Sequence, residues 1–557
     1  MKRATIYIIG VMLTTSATSW AQQQKTDTVM SRTVVVEQEY TPDILDAQKI
    51  NVMPKVEPLT SSQRQVQYAT SLQPAGRIPA GLMPVYAGKE VQPTAWPGYL
   101  RLGAGLPGNI DFLANYLYKI SDKDQLNVFA LFNGNKGDRK TPDDMTWNAR
   151  FYQTRAGVDF SHDLTSMKLD LGAHLGVSNF NKENLISSAN QNFTSGDLHI
   201  GLTSAQIDQA ITYHAETNLM YFKRKNDMFF SDLTEYALKT KGYVLAPFAE
   251  GQSVGIGFQL DNLFYNKNKQ EAYEYEYKNN SNLALNPYYL YENDTWKVRL
   301  GAHVNYAFGL QSKFNIAPDL DAQYHYSGNN LFYIHATGGN ITNDFRRFEE
   351  LSPYASVPNE QVIGTFEQVN AAVGLKGNPA DGLWYNVFGG YQDLKRDLMP
   401  ALYLADELSE TASYAVTHPS ILEQVDTYNI YVGAEANYDF KSLFTLSASA
   451  IYRSWVVNDG EKDFLIYKPV FTGSIDLTFK PISAMKLDAG YLYTSRKGIS
   501  GNKPKAISNL YVGGSYNLYR YFSVYARINN LLNQKYSYFA GIPEQGINFV
   551  GGIILGF

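Results

Sequence analysis

From Gly98 onward, apolar and polar residues alternate with a period of two. That period puts successive side chains on opposite faces of a strand and leaves little else for the chain to become. Met167, Leu169, Leu171, Ala173, Leu175 and Val177 form one face of an eleven-residue run, with Lys168, Asp170, Gly172, His174 and Gly176 on the other. The same alternation returns in Phe444, Leu446, Ala448 and Ala450, in Met485, Leu487, Ala489, Tyr491 and Tyr493, and in Phe522, Val524, Ala526 and Ile528. A helix would spread these sets around its circumference. The expected fold class is therefore all-β.

A soluble antiparallel sandwich also has one apolar and one polar face, so the connections must decide what lies outside. Tight turns fall at Ser121 to Asp124, His162 to Ser166, Asp439 to Ser442, Pro481 to Ala484 and Leu518 to Tyr521. Between them lie long connections at 133–147, 178–194, 266–283, 339–361, 393–425 and 454–465. Short turns at one end and long loops at the other are the pattern of a transmembrane antiparallel β-barrel of a bacterial outer membrane, with outer-membrane lipid as its surroundings. The spacing predicts about 22 strands over 98–557. Tyr116, Tyr118, Tyr288, Tyr289, Tyr291, Tyr516, Tyr519 and Tyr521 stand near strand ends, where an apolar ring with a polar tip suits the membrane interface.

Residues 1–21 read as a signal peptide: basic Lys2-Arg3, apolar Ile6 to Leu13, and Ser19-Trp20-Ala21 before the expected cut. Losing Lys2 and Arg3 takes the formal charge from −5 to −7, so nucleic acid is not an expected partner. With no cysteine, thiolate chemistry and a cysteine-linked anchor are excluded. The eight histidines (His162, His174, His199, His214, His303, His325, His335 and His418) show no metal-ligand spacing, and no nucleophile or phosphate-loop motif occurs. No catalytic, cofactor or metal residue is assigned. Asp143-Asp144 offers a weak cation site, and His174 a hydrated lumen position.

The stretch Ile528-Asn529-Asn530-Leu531-Leu532-Asn533-Gln534-Lys535-Tyr536, the loop Gly541-Ile542-Pro543-Glu544-Gln545-Gly546 and the closing strand resemble the end of a TonB-dependent outer-membrane receptor. The resemblance implies a 22-strand barrel around an N-terminal plug, an energy-transducing partner, and uptake of large scarce nutrients. It implies too that Phe549, Ile553, Leu555 and terminal Phe557 are the signal read by the barrel-assembly machinery, with Val550 and Ile554 on the other face. Thr33-Val34-Val35-Val36-Glu37 resembles a TonB box, which binds its transducer by strand addition. The segment 22–97 departs from the family: it is rich in Gln, Pro and Val and too short for a full plug, so it reads as a rudimentary plug or periplasmic tether.

A lumen of that width needs closing. The candidates are segment 22–97, a sealing lipoprotein or plug partner, and loops folded inward. Asn343 to Leu351 and Leu402 to Leu422 both have aromatic and aliphatic residues at helical spacing, and packing on the rim is the expected role of such helices. The functional expectation is transport or docking of a ligand across the outer membrane. Two alternatives stand beside it: a non-conducting structural or assembly subunit, and an outer-membrane hydrolase.

Overall fold

The computed structural model describes residues 97–557 apart from 141–145, 182–189, 206–209, 226–231, 267–275, 328–329, 356, 359–360, 404–417, 442, 459–467, 498–504 and 538–541. Twenty-two strands form one antiparallel sheet, from β1 (Gly98–Gly105) and β2 (Asn109–Lys119) to β21 (Phe522–Asn529) and β22 (Asn548–Gly556). Each strand pairs with its neighbours in sequence, and β22 pairs with β1 from Tyr99↔Gly556 to Ala104↔Gly551, which closes the barrel. Closure pairs both edges, so no open strand edge faces the bilayer.

The two faces separate as the alternation predicts. On β5 (Met167–Asn181) His174 is 2% exposed and Leu175 69%; on β6 (Asn190–Ser204) Asp197 is 4% and Leu198 56%. Ile316, Ile334, Val373, Ile430 and Ile475 continue the exposed apolar set on later strands. Asn127, Asp159, Asn218, Asp261, Asn305 and Asp319 lie on the opposite, lumenal face. An apolar surface around a closed sheet with a polar interior is stable only in lipid. The protein is an outer-membrane β-barrel.

Even-to-odd connections are short, such as 250–251, 381–382 and 520–521, whereas odd-to-even ones include 266–279, 342–364 and 530–547. The short turns, with Gly98 and Phe557, mark the periplasmic end; the long connections mark the outer mouth.

The outer strands run further than the sequence reading allows. β3 (Asp124–Lys140) and β4 (Thr146–Asp163) leave 141–145 rather than 133–147, and β5 and β6 leave 182–189 rather than 178–194. β15 (Leu383–Tyr403) and β16 (His418–Phe440), of 21 and 23 residues, replace most of the expected loop 393–425. Leu402-Tyr403 and His418 to Leu422 are strand, not helix. About 9–11 residues cross the bilayer; the remainder pair as hairpins beyond it, where neither face meets lipid and the hydrophobic alternation that marks a strand fades. The other expected helix is present. Phe345–Leu351 forms α1 in the connection between β13 (Asn330–Ile341) and β14 (Thr365–Ala380).

Candidate functional site in the barrel lumen

The described residues of connection 342–364 pack against inward-facing side chains at the outer mouth of the barrel. Asp344 caps α1 by accepting from the Arg347 N–H at 2.9 Å, and the same carboxylate meets Lys239 Nζ of β8 (Asp232–Ala249) at 2.6 Å. Burial pushes the Asp344 carboxyl up, but the Lys239 ammonium and the Arg347 N–H outweigh it and hold it below the usual carboxylate value. Arg346 donates two parallel bonds to Asp197 of β6, each 3.0 Å long. Arg224 of β7 (Thr212–Lys225) meets Glu349 at 2.8 Å with both side chains at 0% exposure, donates to the Ala355 carbonyl, and stacks over the Phe193 ring. The Phe345 N–H donates to the carboxylate of Glu235. A two-point guanidinium–carboxylate fit fixes both position and angle.

Between these polar ties lies an apolar cluster that a water-filled lumen would not tolerate. Phe345, Phe348, Tyr354 and Val357 of the connection pack on inward-facing Trp147, Phe151, Phe180, Phe193, Phe222 and Leu233. Tyr277 and Ile542, from two other outer connections, join them. Burying each large ring is worth roughly 1.5–3 kcal/mol as an upper estimate, so the connection is held as a folded part of the wall. It narrows the outer mouth on the side running from β4 to β9 (Gln252–Tyr265).

Where the stems of this connection leave the wall, a small cleft of about 30 Å³, open to solvent, is lined by Asp261, Asn282, Lys313, Asn315, Asn340, Thr342, Asn343 and Arg396. Its floor is a ladder of amides: Asn340 donates to Asn282 at 2.8 Å and Asn315 to Asn340 at 3.4 Å. Asp261 accepts from Thr342 and from Gln259. Arg396 sits at φ 55, in the left-handed region, where β15 shifts register between Leu394 and Asp397. A non-glycine residue in that region is uncommon and marks a constrained position. Its backbone is tied down by Asp426, Thr365 and Gln424, and its Nε donates to the Gly364 carbonyl.

Solved structures with the same architecture include the copper transporter OprC (TM-score 0.61, 12% identity, 83% of this chain and 80% of that one). A variant of the ferric enterobactin receptor PfeA from Pseudomonas aeruginosa matches at TM-score 0.60, 12% identity, and 83% and 80% coverage. The ferric-catecholate import receptor Fiu from Escherichia coli K12 matches at 0.59, 10% identity, and 84% and 82% coverage. The barrel has the fold of the TonB-dependent outer-membrane receptors. At the level of sequence, no family model and no curated protein matches.

Set against that receptor fold, the expected site residues divide. The TonB-box-like segment Thr33 to Glu37 lies outside the described residues, as do the signal peptide, nearly all of 22–97, and Asp143-Asp144. The C-terminal set is described. Phe549 and Phe557 are exposed on the outer face, while Val550 and Ile554 are buried on the inner one. Phe557 exchanges backbone hydrogen bonds with Gly98 and stacks on Tyr116 at 6.0 Å.

His174 faces the lumen as expected but is not hydrated: it is buried, paired with Asp159 at 2.9 Å and set against Phe129. No group of three or more metal-ligating side chains occurs among the described residues. The sequence reading missed Arg396, Lys313 and the Asn282–Asn340–Asn315 ladder. The amides were accessible from strand parity, which places them on the polar face; the turned backbone of Arg396 has no sequence signal.

Proposed function

We propose that the protein is a receptor-like barrel that admits or docks a ligand at its outer mouth, with connection 342–364 as a built-in constriction. The observation that carries this reading is the set of buried ion pairs Arg346–Asp197, Arg224–Glu349 and Lys239–Asp344, which fix the connection against the lumen wall. The receptor and transporter neighbours support it at the level of fold. A TonB-type transducer is the proposed partner, engaging Thr33 to Glu37 as an added strand, with Phe549, Ile553, Leu555 and Phe557 as the segment that the assembly machinery reads.

The apolar cluster under the connection favours a second reading, a docking or assembly subunit whose mouth never opens. Single-channel conductance in planar bilayers separates the two. The comparison is among the full chain, a chain beginning at Thr94, and each of these carrying Arg224→Ala and Arg346→Ala. A pore that opens only when 22–93 and the clasp are both disturbed supports the receptor; a chain that never conducts and copurifies with a stable partner supports the subunit.

A further inference from the structure

The carboxylates that fasten connection 342–364 each have a cation of their own: Asp344 has Lys239, Glu349 has Arg224, and Asp197 has Arg346. Two further carboxyls buried in the same contact have none. Among the described residues, no guanidinium or ammonium nitrogen lies within 4.0 Å of Glu544 or of Glu235.

Glu544 sits in the connection 530–547, whose Ile542 enters the apolar cluster. It is 6% exposed, and beyond the neighbouring Gln545 N–H its carboxylate oxygens meet no donor among the described residues. The charged and titratable groups facing it are Arg139 of β3 and Tyr354 of connection 342–364. Arg139 is committed elsewhere: it donates to the Pro543 carbonyl at 3.0 Å and to Asn135 at 2.6 Å, and lies over the Trp147 ring. Glu235 stands near the outer end of β8, is 2% exposed, and accepts from the Phe345 N–H at 3.1 and 3.2 Å. Lys239, Tyr265 of β9 and Asp344 face it, and the Lys239 ammonium is taken by Asp344. The two carboxyls thus border the two ends of one segment, Glu235 beneath the first turn of α1 and Glu544 beside Tyr354.

An ionised carboxylate buried without a cation is costly enough that the group keeps its proton instead. Burial accordingly holds the Glu544 carboxyl up at about 8. Uncovered to water, such a group ionises near its ordinary value. Between those two values the docked connection holds a proton that the released one has given up, so docking weakens as pH rises through that window and levels off above it.

We propose that Glu544 and Glu235 form a proton latch on the outer mouth: protonated, they let connection 342–364 stay docked in the apolar cluster, and losing their protons favours its release. This regulation rests on the reading of connection 342–364 as a constriction. It makes that constriction tightest under mildly acidic conditions and looser toward alkaline ones.

The test is hydrogen exchange of the detergent-solubilised full chain, followed for the amides of 345–355 from pH 5.5 to pH 9 and corrected for the intrinsic pH dependence of exchange. Exchange reads docking whether or not the lumen conducts, so its outcome is separate from that of the conductance comparison. Each latch carboxyl shifts the opening equilibrium by about tenfold per pH unit inside its window. Protection of 345–355 is expected to fall at least tenfold between pH 5.5 and pH 7.5 and to level off above about pH 8, while amides of β11 (Trp296–Phe308) and β12 (Lys313–Ser327) keep theirs. Glu544→Gln and Glu235→Gln keep the shape without the charge. Each is expected to flatten the profile in part, and the two together to remove its slope. The single variants are independent, so either one that keeps the heat-resistant mobility of the folded barrel on gels is enough to read the effect. A flat profile in the wild type, a profile as steep in the folded variants as in the wild type, or a loss shared by β11 and β12 overturns the proposal.

Discussion

Arg346 and Asp197 are 149 residues apart in the chain and meet through two parallel hydrogen bonds of 3.0 Å, the connection between β13 and β14 reaching across to β6. Hydrogen bonds to charged groups contribute roughly 1.5–3 kcal/mol each, and every 1.4 kcal/mol is about tenfold in an opening equilibrium. Arg346→Ala is therefore expected to speed chymotrypsin cleavage after Phe345 and Phe348 at least tenfold in detergent. Exchanging the charges, Arg346→Asp with Asp197→Arg, is expected to recover part of the protection, because the ends can still meet. Equal cleavage of wild type and Arg346→Ala would remove this pair from the clasp.

Arg224 and Glu349 make a stronger case because neither side chain touches solvent. Taking away one partner strands the other charge, which typically costs about 3–5 kcal/mol. Glu349→Ala is expected to open the connection more than Arg346→Ala does, whereas replacing both Arg224 and Glu349 with Met is expected to cost less than either single loss. Hydrogen exchange of the α1 amides measures all three.

The clasp is also acid-sensitive. Asp344 has its folded-state value held below the ordinary carboxylate range, against its own burial, by Lys239 and the Arg347 N–H. A depressed carboxyl contributes its stabilisation above its unfolded value and loses it as pH falls through the folded one. Protection of α1 is expected to drop as the pH falls below the ordinary carboxylate range, and to drop less in a variant lacking the Asp344–Lys239 pair. Asp344→Asn, which keeps a capping oxygen but leaves Lys239 unpaired, is expected to lose that protection already at pH 7.

Much of this architecture is legible in the sequence because one physical rule generates it. Lipid outside and water inside force a period of two, so the faces of β5, the strand count and the outward set Phe549, Ile553 and Leu555 follow from reading every second residue. α1 is legible from the spacing of Phe345, Phe348 and Leu351. The rule fails where its cause is absent. Beyond the bilayer β15 and β16 need no apolar face, so their extensions read as loop. Inward Phe180, Phe193 and Phe222 break the polar lumen because they bury Phe345, Phe348 and Tyr354, a partnership between distant segments that no local pattern announces. The register shift that turns Arg396 depends on the pairing of β15 with β16 rather than on the identity of the residue.

Glu544, in the connection before β22, is 6% exposed, and burial raises its carboxyl to about 8 despite Arg139 and the Gln545 N–H. It is neutral when folded at pH 7. Between its unfolded value, near 4.5, and about 8 the folded state holds the extra proton, so stability falls as pH rises through that window and levels off above it. Glu544→Gln keeps the shape without the charge. It is expected to leave thermal unfolding at pH 5 nearly unchanged and to raise it at pH 9; a larger gain at pH 5 than at pH 9 would contradict the buried neutral carboxyl.

The seam between the two ends of the barrel rests on Gly98 and Phe557. Their backbones bond at 2.6 and 3.0 Å, and the Phe557 ring lies where a Cβ on residue 98 would stand. Gly98→Val is therefore expected to expel the ring and lower the temperature at which the purified barrel loses its compact mobility, and adding Phe557→Ala should relieve that loss. Phe557→Ala alone separates packing from recognition. Refolded in detergent it is expected to form the barrel at near wild-type yield, because the ring is more than half exposed. Under the proposed assembly role, expression in cells is expected to accumulate far less folded barrel. If yields fall equally in both settings, Phe557 serves the seam alone and the proposed assembly signal is wrong.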